Sequence, residues 1–396
     1  MVDEKKYKRH IKIWNFCFKY LQGIIKKIFS YDCEVAPEIS SPYLVLSNHN
    51  VDLDPALIGF SFPKQMYFVA SEHVYRVGIV SKILKWAFEP IAKIKGSSDT
   101  TAVMKVIRYL RNGKNVCLFP EGNRSFNGKT GEITEAIGKL VKASKATLVT
   151  YKTIGGYFTT PRWGYGIRKG KMFGKVVNIY DVEKLNLMTV EEITKVVAKD
   201  IFVDAYEEQK QNPIKYKGKK IAKSLEIALC VCPNCKKIDS LKTNAKEIFC
   251  MVCNLKTKIN EYGFFDKDFV FETITEWDSF QEKYFENAIM QKEFHEDEII
   301  FSDEDVCIKI IKKNHEEKIL GVGKLFFKNE KIIFEFGNKK EKKETKYFPI
   351  NEISDMSIYG KNVLVFTDND GIHYEAKGKK MKNVRKYLYM HKYREN

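Results

Sequence analysis

The sequence holds no run of the ~18 uncharged apolar residues that a bilayer-spanning helix needs, which excludes multi-span transport. It also lacks a secretory pattern. The apolar stretch within residues 1–30 is broken by Lys12, Lys19, Lys26 and Lys27, and no small-residue cleavage site follows it, so the expected location is the cytoplasm. No internal repeat or low-complexity tract is present, which excludes a repeat array. Acidic side chains are in deficit. The 51 Asp and Glu face 68 Lys and Arg, for a net charge of +17, and such a surplus attracts phosphate on a nucleic acid, an anionic membrane or a phosphorylated substrate.

What is present is ample for folding. With 44% apolar and 13% aromatic residues a disordered chain is excluded, and 396 residues at ~150 per domain allow two or three folded units. Four of the nine cysteines form two tight pairs in metal-ligand spacing, which points to a reducing compartment and away from a disulfide framework.

Residues 7–29 are read as a helix. Ile11, Trp14, Phe18, Leu21, Ile25 and Ile28 step by three and four, while Lys12, Asn15, Lys19, Gln22 and Lys26 fall on the opposite arc. Residues 1–29 carry eight basic side chains against two acidic ones. A basic amphipathic helix of this kind lies in a membrane interface or docks on its own protein, and the membrane interface is the expectation taken forward.

From about residue 40 to 180, short apolar runs alternate with amphipathic stretches. Strands are expected at Tyr43–Ser47, Val116–Phe119, Thr147–Tyr151 and Lys175–Tyr180, and helices at Asp54–Phe60, Tyr75–Trp86, Thr100–Asn112, Glu135–Ala143 and Thr189–Glu208. That alternation predicts an α/β fold, a central sheet flanked by helices. The polar stretch Gln209–Lys220 reads as a boundary. A cysteine-rich insert, a helix near Glu276–Lys292, seven short strands between Val306 and Ala376 and a basic amphipathic helix, Met381–Tyr393, follow. The expected division is 1–30 interface helix, 31–228 α/β domain, 229–257 metal ribbon and 258–396 a β-rich domain closed by a helix, resembling a pleckstrin-homology-like domain in its pattern.

Two motifs carry chemistry. His49 and Asp54 lie five positions apart where a strand turns into a helix, so the carboxylate can accept from one ring nitrogen, fix the tautomer and leave the other nitrogen as a general base. About 70 residues on, Phe119-Pro120-Glu121-Gly122-Asn123-Arg124-Ser125 follows a second strand, at the carboxyl end where ligand crevices of α/β sheets form. There Gly122 permits close backbone approach and Arg124 offers a planar fork for phosphate or carboxylate.

Together these blocks resemble the 1-acyl-sn-glycerol-3-phosphate acyltransferase family of the glycerolipid acyltransferase superfamily. The resemblance covers roughly residues 40–180. It implies transfer of a fatty acyl group from acyl-CoA or acyl carrier protein to the free hydroxyl of a lysophospholipid beside a membrane, at its cytoplasmic face. In that reading His49 deprotonates the hydroxyl, Asp54 orients His49, and Glu121, Gly122 and Arg124 belong to the acceptor-binding block. A glycine-led block ending in arginine is replaced here by Phe88–Lys95, so Lys95 stands in for the arginine. The proline of the fourth block is absent from Leu148-Val149-Thr150-Tyr151. Arg162, Arg168, Lys169 and Lys171 follow as a basic stretch that faces lipid phosphate or solvent.

Cys232-Pro233-Asn234-Cys235 and Cys250-Met251-Val252-Cys253 are two CxxC knuckles fourteen residues apart. They resemble a zinc ribbon: four thiolates complete a tetrahedral shell for Zn²⁺ with no open position, so the ion is expected to be structural. Cys230 is a poor fifth candidate, because only one residue separates it from Cys232. Two other classes fit parts of the sequence. A basic zinc-ribbon nucleic-acid-binding protein would use the charge, but the basic residues are spread through the chain and no recognition motif accompanies the ribbon. A non-catalytic phospholipid-binding adaptor would not need His49 and Asp54 intact.

Overall fold

The computed structural model describes residues 3–76, 78–96, 100–291, 298–312, 316–337 and 343–394. Its first sheet has seven strands: β1 (Tyr31–Cys33), β2 (Tyr43–Ser47), β3 (Met66–Ser71), β4 (Ile91–Lys93), β5 (Asn115–Leu118), β6 (Thr147–Ile154) and β7 (Met172–Tyr180). Their order is β1-β7-β6-β2-β5-β3-β4, parallel throughout except for the β6–β7 pair. Both faces are covered, so every residue of β2 and β5 is buried, and Ser47 and Asn115 at their ends are the only strongly polar ones. Alternation still sorts the side chains. Leu44, Leu46, Val116 and Leu118 pack against Val106, Leu110, Val141, Ile193 and Val197, while Val45, Cys117, Val149 and Tyr151 face Trp14, Ile58 and Phe62.

The expected mixed α/β layer is therefore present. Three strands were not expected. β1 and β4 have only three residues each, too few for any period to show, and β3 is a short apolar run whose periodicity does not separate strand from helix. The helix expected over Thr189–Glu208 divides into Val190–Ile201 and Ala205–Gln211. Between them Val203 leaves the helix to bond Thr130, its N–H donating to Oγ1 at 2.9 Å and its carbonyl accepting from the Thr130 N–H at 3.0 Å. Asp204 then caps the second helix through the Tyr206 N–H at 3.0 Å.

The N-terminal segment is helical from Glu4 to Phe29, with a π turn at Cys17–Leu21. Its inward residues include His10, Trp14, Phe18, Leu21, Ile25 and Phe29, mostly four apart, a spacing that drifts around an α-helix and that the wider π turn realigns. Most of the stripe read as a membrane face thus packs on the protein. Trp14 is buried over Gly59, where a Cβ would stand 2.9 Å from the indole, and its Nε1–H donates to the Phe62 carbonyl at 3.2 Å. A different stripe, Phe16, Tyr20, Ile24 and Ile28, is exposed.

The cysteine-rich segment forms a three-stranded antiparallel sheet of β8 (Leu241–Thr243), β9 (Glu247–Cys250) and β10 (Lys256–Lys258). It is no separate bead. Cys232, Leu241, Ile248 and Cys250 share one core with Tyr157, Trp163, Tyr206, Tyr216 and Trp277, and Trp277 Nε1–H donates to the Val231 carbonyl at 2.9 Å. The stretch 209–220 is likewise pinned, through Tyr216 Oη–H to the Lys171 carbonyl at 2.9 Å.

The tail forms seven antiparallel strands, close to the expected positions: β11 (Phe301–Ile311), β12 (Glu317–Lys328), β13 (Lys331–Phe336), β14 (Glu344–Pro349), β15 (Ile353–Tyr359), β16 (Val363–Asp368) and β17 (His373–Gly378), in the order β14-β13-β12-β11-β17-β16-β15. The closing helix, Arg385–Lys392, places Tyr387, Tyr389 and Met390 in their core. Its fully buried Lys386 pairs with Asp239 of the ribbon and, at 2.8 Å, with Asp303 of β11.

Because Trp14 fills a groove that cannot collapse, Trp14→Ala should lower the unfolding free energy by ~3 to 5 kcal/mol in a denaturant titration. Ile24→Ser, on the exposed stripe, should change it by less than ~0.5 kcal/mol.

Candidate active site

β2 and β5 are neighbours in register, Leu44 opposite Val116 and Leu46 opposite Leu118, so the segments that follow them emerge side by side at the carboxyl end of the sheet. This is why two motifs so far apart in the chain meet. After Ser47 the chain turns into the short helix Asp54–Gly59. The turn brings His49 Nδ1 to 2.9 Å from Asp54 Oδ2, and the same oxygen accepts the backbone N–H of Asn50 at 2.6 Å and of Val51 at 2.9 Å. Asp54 is 0% exposed. Two backbone N–H groups already point at Asp54 Oδ2, so this oxygen acts as an acceptor, which places the proton on His49 Nδ1 and leaves Nε2 unprotonated.

The imidazole, 20% exposed, stacks on Phe119 with ring centres 4.2 Å apart. Burial lowers its pKa below the ordinary 6.5, Asp54 opposes this, and Arg124 and Lys95 add to the lowering. Neutral pH therefore finds the ring as a base. The flanking amides hold the loop: Asn48 Nδ2–H donates to the Thr153 carbonyl at 2.8 Å, the Thr153 N–H returns to Asn48 Oδ1 at 2.8 Å, and Asn50 Nδ2–H donates to the same carbonyl at 3.1 Å.

Glu121 stands between the loops. One carboxylate oxygen accepts the His49 N–H at 2.7 Å and the other the Gly131 N–H at 2.7 Å; burial pushes this carboxyl up to about 8 against those two donors. Gly122 adopts φ +67°, a region costly to residues with a Cβ. Its carbonyl accepts from Lys95 Nζ at 3.0 Å, and Lys95 also donates to Asn123 Oδ1 at 2.8 Å. Burial, with Arg162 and Lys93 nearby, pulls Lys95 down to about 7.

Arg124 spends Nε on the Asn50 carbonyl at 2.9 Å and Nη2 on the Thr160 carbonyl, while Nη1 pairs at 2.8 Å with Asp52, whose side chain is 86% exposed. The sequence brought Lys95, Glu121, Gly122 and Arg124 to one rim around His49. It did not single out Asn48, Asn50 or Thr153, because an amide latch follows no period. Arg162, read as facing lipid or solvent, does neither: it is 4% exposed and donates through Nη1 to the Arg124 carbonyl at 3.0 Å.

A second centre lies in the ribbon. Cys232 and Cys253 Sγ are 3.6 Å apart, as are Cys235 and Cys250, and all four sulfurs lie within 4.8 Å of one another. A tetrahedron with metal–sulfur bonds of ~2.3 Å has edges of about 3.8 Å, so the four can hold one metal ion. Cys230 does not join them; it is buried, and its N–H donates to Gln281 Oε1 at 2.9 Å. Glu72, His73 and Glu375 also converge, but there the Arg76 guanidinium bridges both carboxylates and is itself the cation.

Residues 27–153, the stretch that holds the His49–Asp54 and Phe119–Ser125 blocks, match the family model described as Acyltransferase. Among solved structures the chain is similar to the 1-acyl-sn-glycerophosphate (LPA) acyltransferase PlsC from Thermotoga maritima, with 20% identity, 54% of this chain and 84% of that chain covered, and a TM-score of 0.41.

With His49 as the base, His49→Ala should cut acyl-transfer turnover by ~10² to 10⁴ at unchanged melting temperature. The acid limb of the rate profile should fall below pH 6.5, since protonation of a ring whose pKa is lowered is what ends activity. Loss of less than tenfold in His49→Ala would remove His49 from the chemistry. In the ribbon, purified protein should hold one equivalent of metal, and chelation should expose residues 230–257 to protease, which mass spectrometry of the fragments would locate.

Proposed function

We propose that the protein moves a fatty acyl group from acyl-CoA or acyl carrier protein to the free hydroxyl of a lysophospholipid, foremost 1-acyl-glycerol-3-phosphate, giving phosphatidic acid. The observation that carries this reading is a carboxylate-oriented imidazole ringed by cations in an acyltransferase-family domain. His49 Nε2 takes the hydroxyl proton as the oxygen attacks the thioester carbonyl. A carbon–oxygen bond forms, the carbon–sulfur bond breaks, and the thiolate leaves with the proton from the imidazolium. The acceptor's phosphate is anchored by Arg124, once its Nη1 exchanges Asp52 for the ligand, and by Lys95. Glu121 and Gly122 serve by shape: the Glu121 carboxyl ties the two loops and the glycine lets the rim close on Lys95.

The remaining parts follow their chemistry. The four ribbon cysteines bind a structural Zn²⁺, which adds no reactive position. The work takes place on the cytoplasmic face of a membrane, held peripherally. The exposed stripe Phe16, Tyr20, Ile24 and Ile28, and Ile79, Ile83 and Trp86 on the helix Gly78–Ala87, present large apolar side chains, with Lys19, Lys27, Lys82 and Lys85 exposed among them. No helix among the described residues is long and apolar enough to cross a membrane. In this reading 1–30 serves attachment, 31–228 catalysis, 229–257 metal binding, and 258–396 closes the molecule.

The test is incubation with labelled acyl thioester and a panel of lysolipids. Lysophosphatidic acid should be acylated well above lysophosphatidylcholine or monoacylglycerol, and equal use of monoacylglycerol would sink the phosphate anchor. Arg124→Ala should raise the acceptor KM about tenfold or more. Lys95 is charged below about 7 and neutral above it, so the acceptor KM should climb as pH rises past neutrality, and Lys95→Arg should flatten that climb. Phe16→Ser with Ile24→Ser should release the protein from anionic vesicles in a flotation assay without altering its melting temperature.

A further inference from the structure

The cations around His49 are met from the far side by the C-terminal sheet. Arg162 donates through Nε to the Gly360 carbonyl at 2.7 Å and through Nη2 to the Ile358 carbonyl at 2.8 Å, while its Nη1 holds the Arg124 carbonyl. Lys95 Nζ lies 3.5 Å from the Ile358 carbonyl, and Asn123 Nδ2–H donates to Ser357 Oγ at 3.0 Å. Lys361, exposed at the tip of the β15–β16 turn, donates to the Gly164 carbonyl. The turn is braced behind. Tyr359 stacks on His73, rings 3.4 Å apart and 12° from parallel, and His73 and Arg76 pair with Glu375 of β17. Thr367 of β16 donates to the Gly96 carbonyl, one residue past Lys95. This turn is thus as firmly fixed to the catalytic rim as the rim's own loops.

The charges there do not balance. Lys95, Arg124, Arg162 and Lys361 gather on this rim, and among the described residues their one ion-pair partner is Asp52, on an exposed loop three residues after His49. Backbone carbonyls satisfy the other donors without neutralising them. Burial and the nearness of Arg124 depress Lys361, and Asp52 opposes this, which places Lys361 within the field of the same guanidinium and the same carboxylate. Cations whose hydrogen bonds end on neutral carbonyls keep their charge, and such a cluster fits a dianionic group.

We propose that the turn Tyr359–Lys361 is a wall of the acceptor site and that Lys361 is a specificity-determining residue, closing with Arg124 on the phosphate monoester of the acceptor. The idea rests on reading the site as one for a phosphate-bearing acceptor. Lys361 exchanges a neutral carbonyl for a charged oxygen, and Arg124 exchanges Asp52 for the same group. The C-terminal sheet is then part of the active site, and its contribution is a choice among head groups.

The test uses the full-length protein and glycerol 3-phosphate, a soluble phosphate monoester, in isothermal titration calorimetry, beside kinetics with lysophosphatidic acid and monoacylglycerol. Lys361→Ala should weaken glycerol 3-phosphate binding roughly tenfold, the scale of one charge-assisted hydrogen bond, and raise the lysophosphatidic acid KM to match. KM for monoacylglycerol and for the thioester should stay within twofold, and Lys361→Arg should restore binding. Unchanged glycerol 3-phosphate affinity in Lys361→Ala, or an equal rise of every KM, would overturn the proposal while acylation of lysophosphatidic acid by the wild type still stood. If the wild type acylates no lysolipid yet binds glycerol 3-phosphate through Lys361, the wall is upheld and the reaction is what fails.

Discussion

A carboxylate with no exposure has to be compensated where it lies, and Asp54 is compensated on a single oxygen by one ring nitrogen and two backbone amides. That constraint sets the path of the chain from β2 into the helix Asp54–Gly59, since only a tight turn points the amides of Asn50 and Val51 back at the side chain. The tautomer of His49, the direction of its free nitrogen and its footing on Phe119 all follow from it. Glu121 bridges the gap in turn, its carboxyl oxygens accepting the His49 and Gly131 amides, so two acidic side chains tie together loops that leave adjacent strands. Neither loop has its shape without the other.

The same economy governs the join between the halves of the molecule. Asp278 accepts from Asn127 Nδ2 at 2.8 Å, from Arg385 Nη2 at 2.8 Å and from Tyr389 Oη at 2.9 Å, so one buried carboxylate links the loop after Arg124 to the closing helix. Lys386 does likewise between the ribbon and the β11 strand. Removing either partner would leave a charge buried alone, which costs far more than the bond itself returns. Buried ion pairs here add to an apolar seam in which Val231 and Phe285 share the core of the β domain.

Much of this was legible in the sequence. The tail's strands are short segments rich in apolar residues and set off by turn signals, and the seven expected between Val306 and Ala376 are matched by seven observed ones, β11 to β17. His49, Asp54, Glu121 and Arg124 were singled out because their two blocks stand at strand ends and resemble those of an acyltransferase family. The four ribbon cysteines were found because two CxxC turns have few other uses. The N-terminal helix was read by its period alone, and a period names two faces without saying which one meets protein. Lys361 left no local trace: it lies in an ordinary turn, and only the packing of β15 and β16 against Lys95 and Arg162 gives it a neighbourhood. Long-range placement of that kind is set by Asp278, Lys386 and the Tyr359–His73 stack, none of which has a sequence pattern.

The position of the wall has a consequence for the protein's assembly in time. Domains fold as the chain is made, from the N-terminal side onward, and the residues that face His49 across the rim are synthesised roughly 300 residues after it. The dyad, its latch to Thr153 and the ties through Glu121 lie wholly within the first 160 residues, so they can form early. The carbonyls of Ile358 and Gly360 come late, and the helix that seats them later still. On the proposed reading a nascent chain thus holds the His49–Asp54 pair beside an open, positive rim, and head-group choice is the last property the molecule acquires.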